Sequence, residues 1–264
     1  MIECLYPEWP APPAVRAAIT TRPGGMSPPP WDSLNLAAHV GDDPGRVADN
    51  RLLLRAHLGL PAEPFWLQQV HGCDVADAGG AGAGAPCAAD AAVASRPGAV
   101  CAVLTADCLP VLFCSRQGDW VAAAHAGWRG LAAGVLEKAV ARAPVPAADV
   151  LAWLGPAIGS AAFEVGHEVR DAFLADDAGA AGCFAPSRTG RWLADLYGLA
   201  RRRLERCGVG WMGGGGLCTF TDVRRFYSFR RDGTTGRMAS LIWLQDGAGE
   251  ATHAFVTTEG RTAR

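Results

Sequence analysis

The sequence predicts an α+β fold, a single domain of mixed β-sheets flanked by helices, on three observations. Apolar, β-branched-leaning runs alternate along the chain with segments of helical spacing, so neither an all-helical nor an all-strand domain fits. Three of those runs, 100–105, 111–114 and 120–125, follow one another across short turns, a step tight enough to imply antiparallel pairing within a mixed sheet. No internal repeat or long linker divides the 264 residues, a length that can bury one large core, so one domain over 1–264 is expected.

In chain order, residues 22–31 are rich in Pro and Gly and read as an irregular, turn-rich loop. A helix is predicted over 44–58: Pro44 suits its first turn, Val47, Leu54 and Leu58 lie near helical spacing, and Gly59 closes it. The Gly/Ala-rich stretch 79–85 formally matches a dinucleotide-binding fingerprint. That fingerprint needs a strand before it and a helix after it, which the weak run 75–78 and Pro86 do not supply, so it reads as a surface loop. The third strand ends at His125, and a helix is expected from Gly127 to about Arg142, burying Leu131, Val135, Leu136 and Ala139 as one stripe. A strand at 150–154, a helix over 193–207 ended by Gly208, and late strands at 226–229 and 241–244 complete the pattern.

Composition excludes several function classes. Half the residues are apolar, 19% are charged and the net charge is −2, so no basic surface for nucleic acid or anionic membrane is expected. Lys138 is the single lysine, which rules out a Gly-Lys-Ser/Thr phosphate loop, and its place on the exposed face of a predicted helix argues against Schiff-base chemistry. Nine cysteines are too many and too odd in number for a disulfide framework in a chain this long, and Cys101, Cys108 and Cys114 fall in apolar, strand-like runs. Met1-Ile2-Glu3-Cys4 does not open a signal peptide, and no apolar stretch reaches the ~20 residues that span a bilayer, so a reducing cytoplasm is the expected compartment.

Three residues carry the chemistry. His71 lies in Gln69-Val70-His71-Gly72, Cys108 in Thr105-Ala106-Asp107-Cys108-Leu109-Pro110, and His125 in His125-Ala126-Gly127-Trp128-Arg129-Gly130. Taken singly, each is an ordinary strand cysteine or hydrogen-bonded histidine. Taken together, both histidines end apolar runs and precede a glycine within two residues, where catalytic groups and ligands accumulate. One reading is a Cys108 nucleophile with His125 as its base. The other is a metal site of two imidazoles and a thiolate with a fourth position open, suited to Zn²⁺ or copper and too widely spaced for a zinc finger.

Further blocks follow in order: Thr20-Thr21-Arg22-Pro23-Gly24-Gly25, Ser33-Leu34-Asn35-Leu36, His39-Val40-Gly41-Asp42-Asp43, Gly155-Pro156-Ala157-Ile158-Gly159, Phe163-Glu164-Val165-Gly166, Phe226-Tyr227-Ser228-Phe229-Arg230-Arg231-Asp232-Gly233 and Thr235-Gly236-Arg237-Met238-Ala239-Ser240. With the three site motifs they resemble the YfiH-like, laccase-domain family of purine nucleoside phosphorylases, from about Thr20 to Leu244. The resemblance implies a fold similar to the cytotoxic necrotizing factor deamidases and a catalytic zinc on His71, Cys108 and His125. It implies phosphorolysis of adenosine, inosine and methylthioadenosine, with adenosine deaminase activity. Family descriptions also include a copper-dependent polyphenol oxidase and a peptidoglycan editing factor that removes wrongly built muropeptide precursors.

Phosphorolysis needs a cationic clamp for phosphate, and with one lysine in the chain arginine must supply it. Arg22, in its Pro/Gly-rich loop, is the first candidate; Arg230 and Arg231 are the second, unless they merely pair with Asp232. Asn35 is a candidate for a ribose hydroxyl or the base edge, or else a turn cap. Asp107 is either the outer partner of a ligating histidine or the cap of its own turn. Glu164 is an acid/base candidate or a solvated carboxylate, and Trp128 and Arg129 are expected to shape the pocket wall. Six histidines are too few for a three-copper oxidase, since His39, His57, His167 and His253 lie in unrelated contexts.

Overall fold

Two β-sheets lie face to face, and the computed structural model, which describes residues 1–80 and 87–245, covers both outer faces with helices. The elements in chain order begin with β1 (Cys4–Leu5), β2 (Val15–Thr20), α1 (Pro44–Leu58), β3 (Phe65–Trp66), β4 (Val75–Asp77), β5 (Ala91–Ala94), β6 (Val100–Thr105), β7 (Leu109–Ser115) and β8 (Val121–Ala126). There follow α2 (Trp128–Ala132), α3 (Val135–Val140), β9 (Val150–Leu154), β10 (Glu164–Val165), α4 (His167–Leu174), β11 (Phe184–Pro186), β12 (Trp192–Ala194), α5 (Leu196–Arg206), β13 (Trp211–Gly214), α6 (Phe229–Asp232) and β14 (Met238–Leu244).

One sheet has the order β1-β2-β14-β6-β3 and the other β13-β9-β7-β8-β5-β4; a small third sheet, β10-β12-β11, stands apart. Both large sheets mix parallel and antiparallel pairs, as in β3 with β6 and β6 with β14. The mixed α+β architecture expected from the sequence is what the structure shows.

The period-two alternation of strands builds the layers. In β6, Cys101 and Val103 point between the sheets, while Val100, Ala102 and Leu104 pack with Leu54 of α1. In β7, Leu112 and Cys114 share the inter-sheet layer, while Val111 and Phe113 pack under Leu131, Leu136, Leu199 and Leu204 of the helical layer. Strands covered on both faces read as unbroken apolar runs.

Some local expectations hold and others do not. The helix Pro44–Leu58 forms as predicted, with the Asp43 side chain capping its start and Gly59 in the left-handed region at φ 58° closing it. β7 and β8 pair antiparallel, but β6 and β7 belong to different sheets: the short step after Thr105 crosses the sandwich instead of turning a hairpin. The helix expected from Gly127 to about Arg142 is two short helices, because Gly134 at φ 91° and ψ 31° redirects the chain; its stripe of Leu131, Val135, Leu136 and Ala139 is nonetheless fully buried. The strand expected at 226–229 is absent. Phe226 and Tyr227 are buried against Met238 and Ala106 without sheet pairing, and Ser228 caps α6. Residues 75–77 do form an edge strand, β4, whereas 81–86, most of the Gly/Ala-rich loop, lie outside the described residues. None of the described helices is long and apolar enough to cross a membrane.

Gly134 is the bend between α2 and α3, and its backbone lies where a side chain is strained even though a Cβ there would meet nothing closer than 3.6 Å. Gly134→Ala is expected to destabilise the fold by about 1–2 kcal/mol. An unshifted chemical-denaturation midpoint would show that the bend does not need the left-handed conformation.

Candidate metal centre

The chain crosses from one sheet to the other at several points, and two of the three motif residues stand on such crossings. β3 runs parallel beside β6, so both leave the five-stranded sheet at the same end. The segment after β3 carries His71 on its way to β4 in the six-stranded sheet, and the segment after β6 carries Cys108 on its way to β7. His125 comes from within β8, where it pairs with Pro110 and so lies beside Cys108. The Gln69 amide extends the first sheet past its last strand residue: its Nε2–H donates to the Leu104 carbonyl and its Oε1 accepts from the Leu104 N–H, at 2.8 and 2.7 Å.

The three side chains converge. Their ligand atoms all lie within 4.8 Å of one another, with Cys108 Sγ 3.9 Å from His71 Nε2. The two imidazole rings meet edge to face at 4.8 Å between centroids. His125 is buried, Cys108 half-buried and His71 exposed, so the cluster opens to solvent on one side.

Asp90, fully buried at the start of β5, organises the site, and the sequence reading did not single it out. Its Oδ1 accepts from His125 Nδ1 at 2.8 Å and from the His71 backbone N–H at 3.0 Å; its Oδ2 accepts from the N–H groups of Val70 and Gly72. With Nδ1–H held by a carboxylate, His125 presents Nε2 to the cluster. The available signal was a lone carboxylate in Ala88-Ala89-Asp90-Ala91-Ala92, an alanine run otherwise fit for a buried strand. Asp107, expected either in this outer role or as the cap of its own turn, does something else. Its carboxylate takes Thr219 Oγ1 and the Arg230 N–H, each at 2.6 Å, and so locks the Cys108 loop to α6. Both His71 (φ 59°) and Asp107 (φ 92°) have left-handed backbones, which are uncommon for residues with side chains and collect at functional sites.

Electrostatics favour a thiolate. Burial pushes the Cys108 thiol up, but the charge of His125 and hydrogen bonds from His125 and His71 outweigh it and bring the thiol below its ordinary value. Burial opposes charge on His125 too, yet the facing Cys108 and the bond to Asp90 raise its pKa. The Asp90 carboxyl stays below the usual range: burial raises it, and its hydrogen bond to His125 and its backbone donors reverse that.

The motif glycines make room for the cluster. A Cβ on Gly127 would lie 2.9 Å from His71 Cδ2, 3.0 Å from Cys108 Sγ and 3.6 Å from His125 Cε1, so this position faces all three residues. A Cβ on Gly130 would lie 2.5 Å from the Gly72 carbonyl, so α2 packs against the His71 loop through a surface without side chains. Two imidazoles and a thiolate at these separations fit a tetrahedral metal with one position left over.

The other candidates are placed as follows. Arg22 donates Nη2–H to both carboxylate oxygens of Asp32, each at 2.9 Å, and Nε–H to the Asp32 carbonyl. Asn35 is fully buried and committed: its amide N–H groups go to the Ala37 carbonyl and Asp42, and its oxygen accepts from Ala37 N and Arg237 N, so no group remains for a ribose hydroxyl. Arg231 pairs with Asp232 and donates to the carbonyls of Thr219, Phe220 and Phe226, as a structural tie would. Arg230 donates to the Glu164 carbonyl and lies over the Phe163 ring, while the Glu164 carboxylate is taken by Arg188 and Ser187. Arg129 stacks on Trp128 at 4.4 Å. Lys138 is half exposed and 3.7 Å from Asp74.

Several known proteins resemble this chain over most of its length. The family described as multi-copper polyphenol oxidoreductase laccase matches residues 16–245. A purine nucleoside phosphorylase of Pseudomonas aeruginosa is 57% identical over 243 residues, covering 92% of this chain and 98% of that protein. The purine nucleoside phosphorylase YfiH of Escherichia coli is 55% identical over 247 residues, covering 92% and 100%. The crystal structure of a Neisseria meningitidis protein superposes with a TM-score of 0.89 at 52% identity, over 92% of this chain and 99% of the other. That of Bacillus licheniformis YfiH gives 0.81 at 31% identity, over 88% and 93%. With a family match of this length and relatives this similar, the chain belongs to the laccase-like-domain family that includes the YfiH proteins.

Proposed function

We propose that this chain is a zinc-dependent purine nucleoside phosphorylase. It converts adenosine, inosine and methylthioadenosine to the free base and ribose 1-phosphate, and it deaminates adenosine at the same site. The observation that carries the reading is the His71–Cys108–His125 cluster held by Asp90, in a chain 57% identical to a protein named a purine nucleoside phosphorylase. A thiolate with two imidazoles suits zinc, and copper, which binds such donors more tightly, is the competing ion. When bound, the metal supplies Lewis acidity at the open position.

The remaining roles belong to the chain's own residues. Asp90 keeps the proton on His125 Nδ1 and pins the His71 loop through three backbone N–H groups. His125 and His71 stabilise the Cys108 thiolate. Val70 and Phe229, both more than half exposed, are large apolar side chains on the loop of His71 and on the helix tied to Asp107, where a purine ring can pack. In phosphorolysis a phosphate oxygen bonds to C1′ of the ribose as the C1′–N9 bond breaks; the electron pair leaves with the purine, which takes a proton from solvent.

A polyphenol oxidase is the second reading, favoured by the description of the matching family. Among the described residues one three-ligand group is present. Metal analysis of protein purified without added copper, with assays on a phenol and on adenosine plus phosphate, decides between them.

Cys108→Ala is expected to lower both phosphorolysis and deamination by at least about 100-fold, more than loss of an outer-shell partner costs, while the circular dichroism stays unchanged. Survival of one activity would remove that activity from this site. Asp90→Asn is expected to weaken zinc affinity about 10–100-fold, read by chelator competition. Unchanged affinity would mean that His125 needs no carboxylate to hold its orientation. Gly127→Ala places a methyl group at the cluster, and the protein should purify with a metal content far below one per chain; full occupancy would show that the ion sits elsewhere.

A further inference from the structure

Arg237 stands at the threshold of β14, at the same end of the five-stranded sheet as the cluster. Its neighbour Met238 pairs with Thr105, the last residue of β6 before the Cys108 loop, so the antiparallel register carries Arg237 toward Ala106 and Cys108. Two further ties confirm the placement. The Arg237 backbone N–H donates to Asn35 Oδ1 at 3.0 Å, and its guanidinium lies 5.8 Å from the ring of Phe229, the residue before Arg230, whose N–H is held by Asp107.

Neither Arg237 nor Arg230 has a carboxylate partner among the described residues, but Arg230 reaches away to the Glu164 carbonyl and the Phe163 ring, while Arg237 stands in the field of Cys108 and Asp107. Arg22 gives one nitrogen to both oxygens of Asp32 and Arg231 two nitrogens to Asp232, whereas Arg237 has no carboxylate partner among the described residues. Its Nη1 donates to the carbonyls of Thr235 and Gly236, which orients the group and leaves Nε and Nη2 without partners among the described residues. The guanidinium is half-buried, and burial lowers its pKa against the raising effects of Cys108 and Asp107. Two residues upstream, Thr235 is buried with its hydroxyl unpaired. His39 lies in the same field: its pKa falls through burial first, then through the charges of Arg237 and Arg51. A half-buried, oriented guanidinium with two donors to spare suits an oxyanion, which accepts both along one edge.

We infer that Arg237 is the phosphate anchor of this enzyme, a substrate-binding residue that holds the oxyanion beside the Cys108 cluster. The inference rests on the phosphorylase reading for its substrate but not for the site itself, since inorganic phosphate binding is measurable without turnover. Arg22, neutralised by Asp32, is left to hold its own loop.

The test titrates inorganic phosphate calorimetrically into purified protein in an anion-poor buffer. Arg237→Gln is expected to raise the Kd for phosphate about 10–100-fold, and Arg237→Lys, which keeps the charge but loses the planar fork, to fall between it and the parent. Arg55→Gln, on the exposed face of α1, serves as the control and should bind as the parent does. In steady-state assays Arg237→Gln should raise KM for phosphate and leave that for the nucleoside within about twofold, which a merely structural defect would not do. Melting temperature and metal content are measured on every variant; if the glutamine variant does not fold, the lysine variant carries the test. Parent-like phosphate affinity in a folded Arg237 variant overturns the inference, as does a loss that follows Arg22→Gln instead. Phosphate binding that depends on Arg237 in a protein unable to split nucleosides would leave this site standing and remove the phosphorylase reading.

Discussion

A single buried carboxylate holds the site together. Asp90 accepts four hydrogen bonds, one from the ring of His125 and three from consecutive backbone N–H groups at 70–72. Hydrogen bonds to a charged group contribute about 1.5–3 kcal/mol each, and a buried carboxylate left unpaired would cost more than any one of them. The same ion that orients one imidazole also holds the loop carrying the other, so the two histidines cannot drift apart independently. The left-handed backbone of His71 is tolerated inside this anchored loop.

The location of the site follows from how the sandwich is wired. A chain that keeps changing sheets must cross the edge between them, and crossing segments leave the ladder with their side chains free of the core. The segments after β3 and β6 cross at one end, and β14 enters the first sheet at that same end. Imidazole, thiol and guanidinium from far-apart stretches of sequence are thereby delivered to one rim. Glycines 127 and 130 then let the following helix approach without filling the space. The cation distribution fits this picture: Arg22 and Arg231 are paired with aspartates, Arg230 gives one nitrogen to the distant Glu164 carbonyl, and Arg237 alone among these four holds neither a carboxylate nor a distant carbonyl among the described residues.

How much could be read in advance depended on how local the governing interaction was. Pro44 to Gly59 contains its own start and stop, so that helix emerges at its predicted limits. β9 and β6 were legible as apolar runs bounded by turns. The bend at Gly134 was missed because the buried stripe on either side keeps helical spacing, and periodicity does not register one left-handed residue. Phe226 and Tyr227 looked like a strand because burial selects the same residues whether or not a neighbour supplies hydrogen bonds.

The sequence by itself determined the α+β class, the family, and the three donor residues whose motifs are unusual enough to stand out. Only the tertiary structure decided that those donors meet, that Asp90 and not Asp107 supports them, that Asn35 is spent inside a loop, and that Arg237 comes to the same rim with one edge unpartnered among the described residues. The physical reason is that donor chemistry is a property of a side chain, whereas its availability depends on partners brought from elsewhere. Asp107 reaches across to Thr219, Asp90 back to His71 and forward to His125, and no window along the chain contains those pairs.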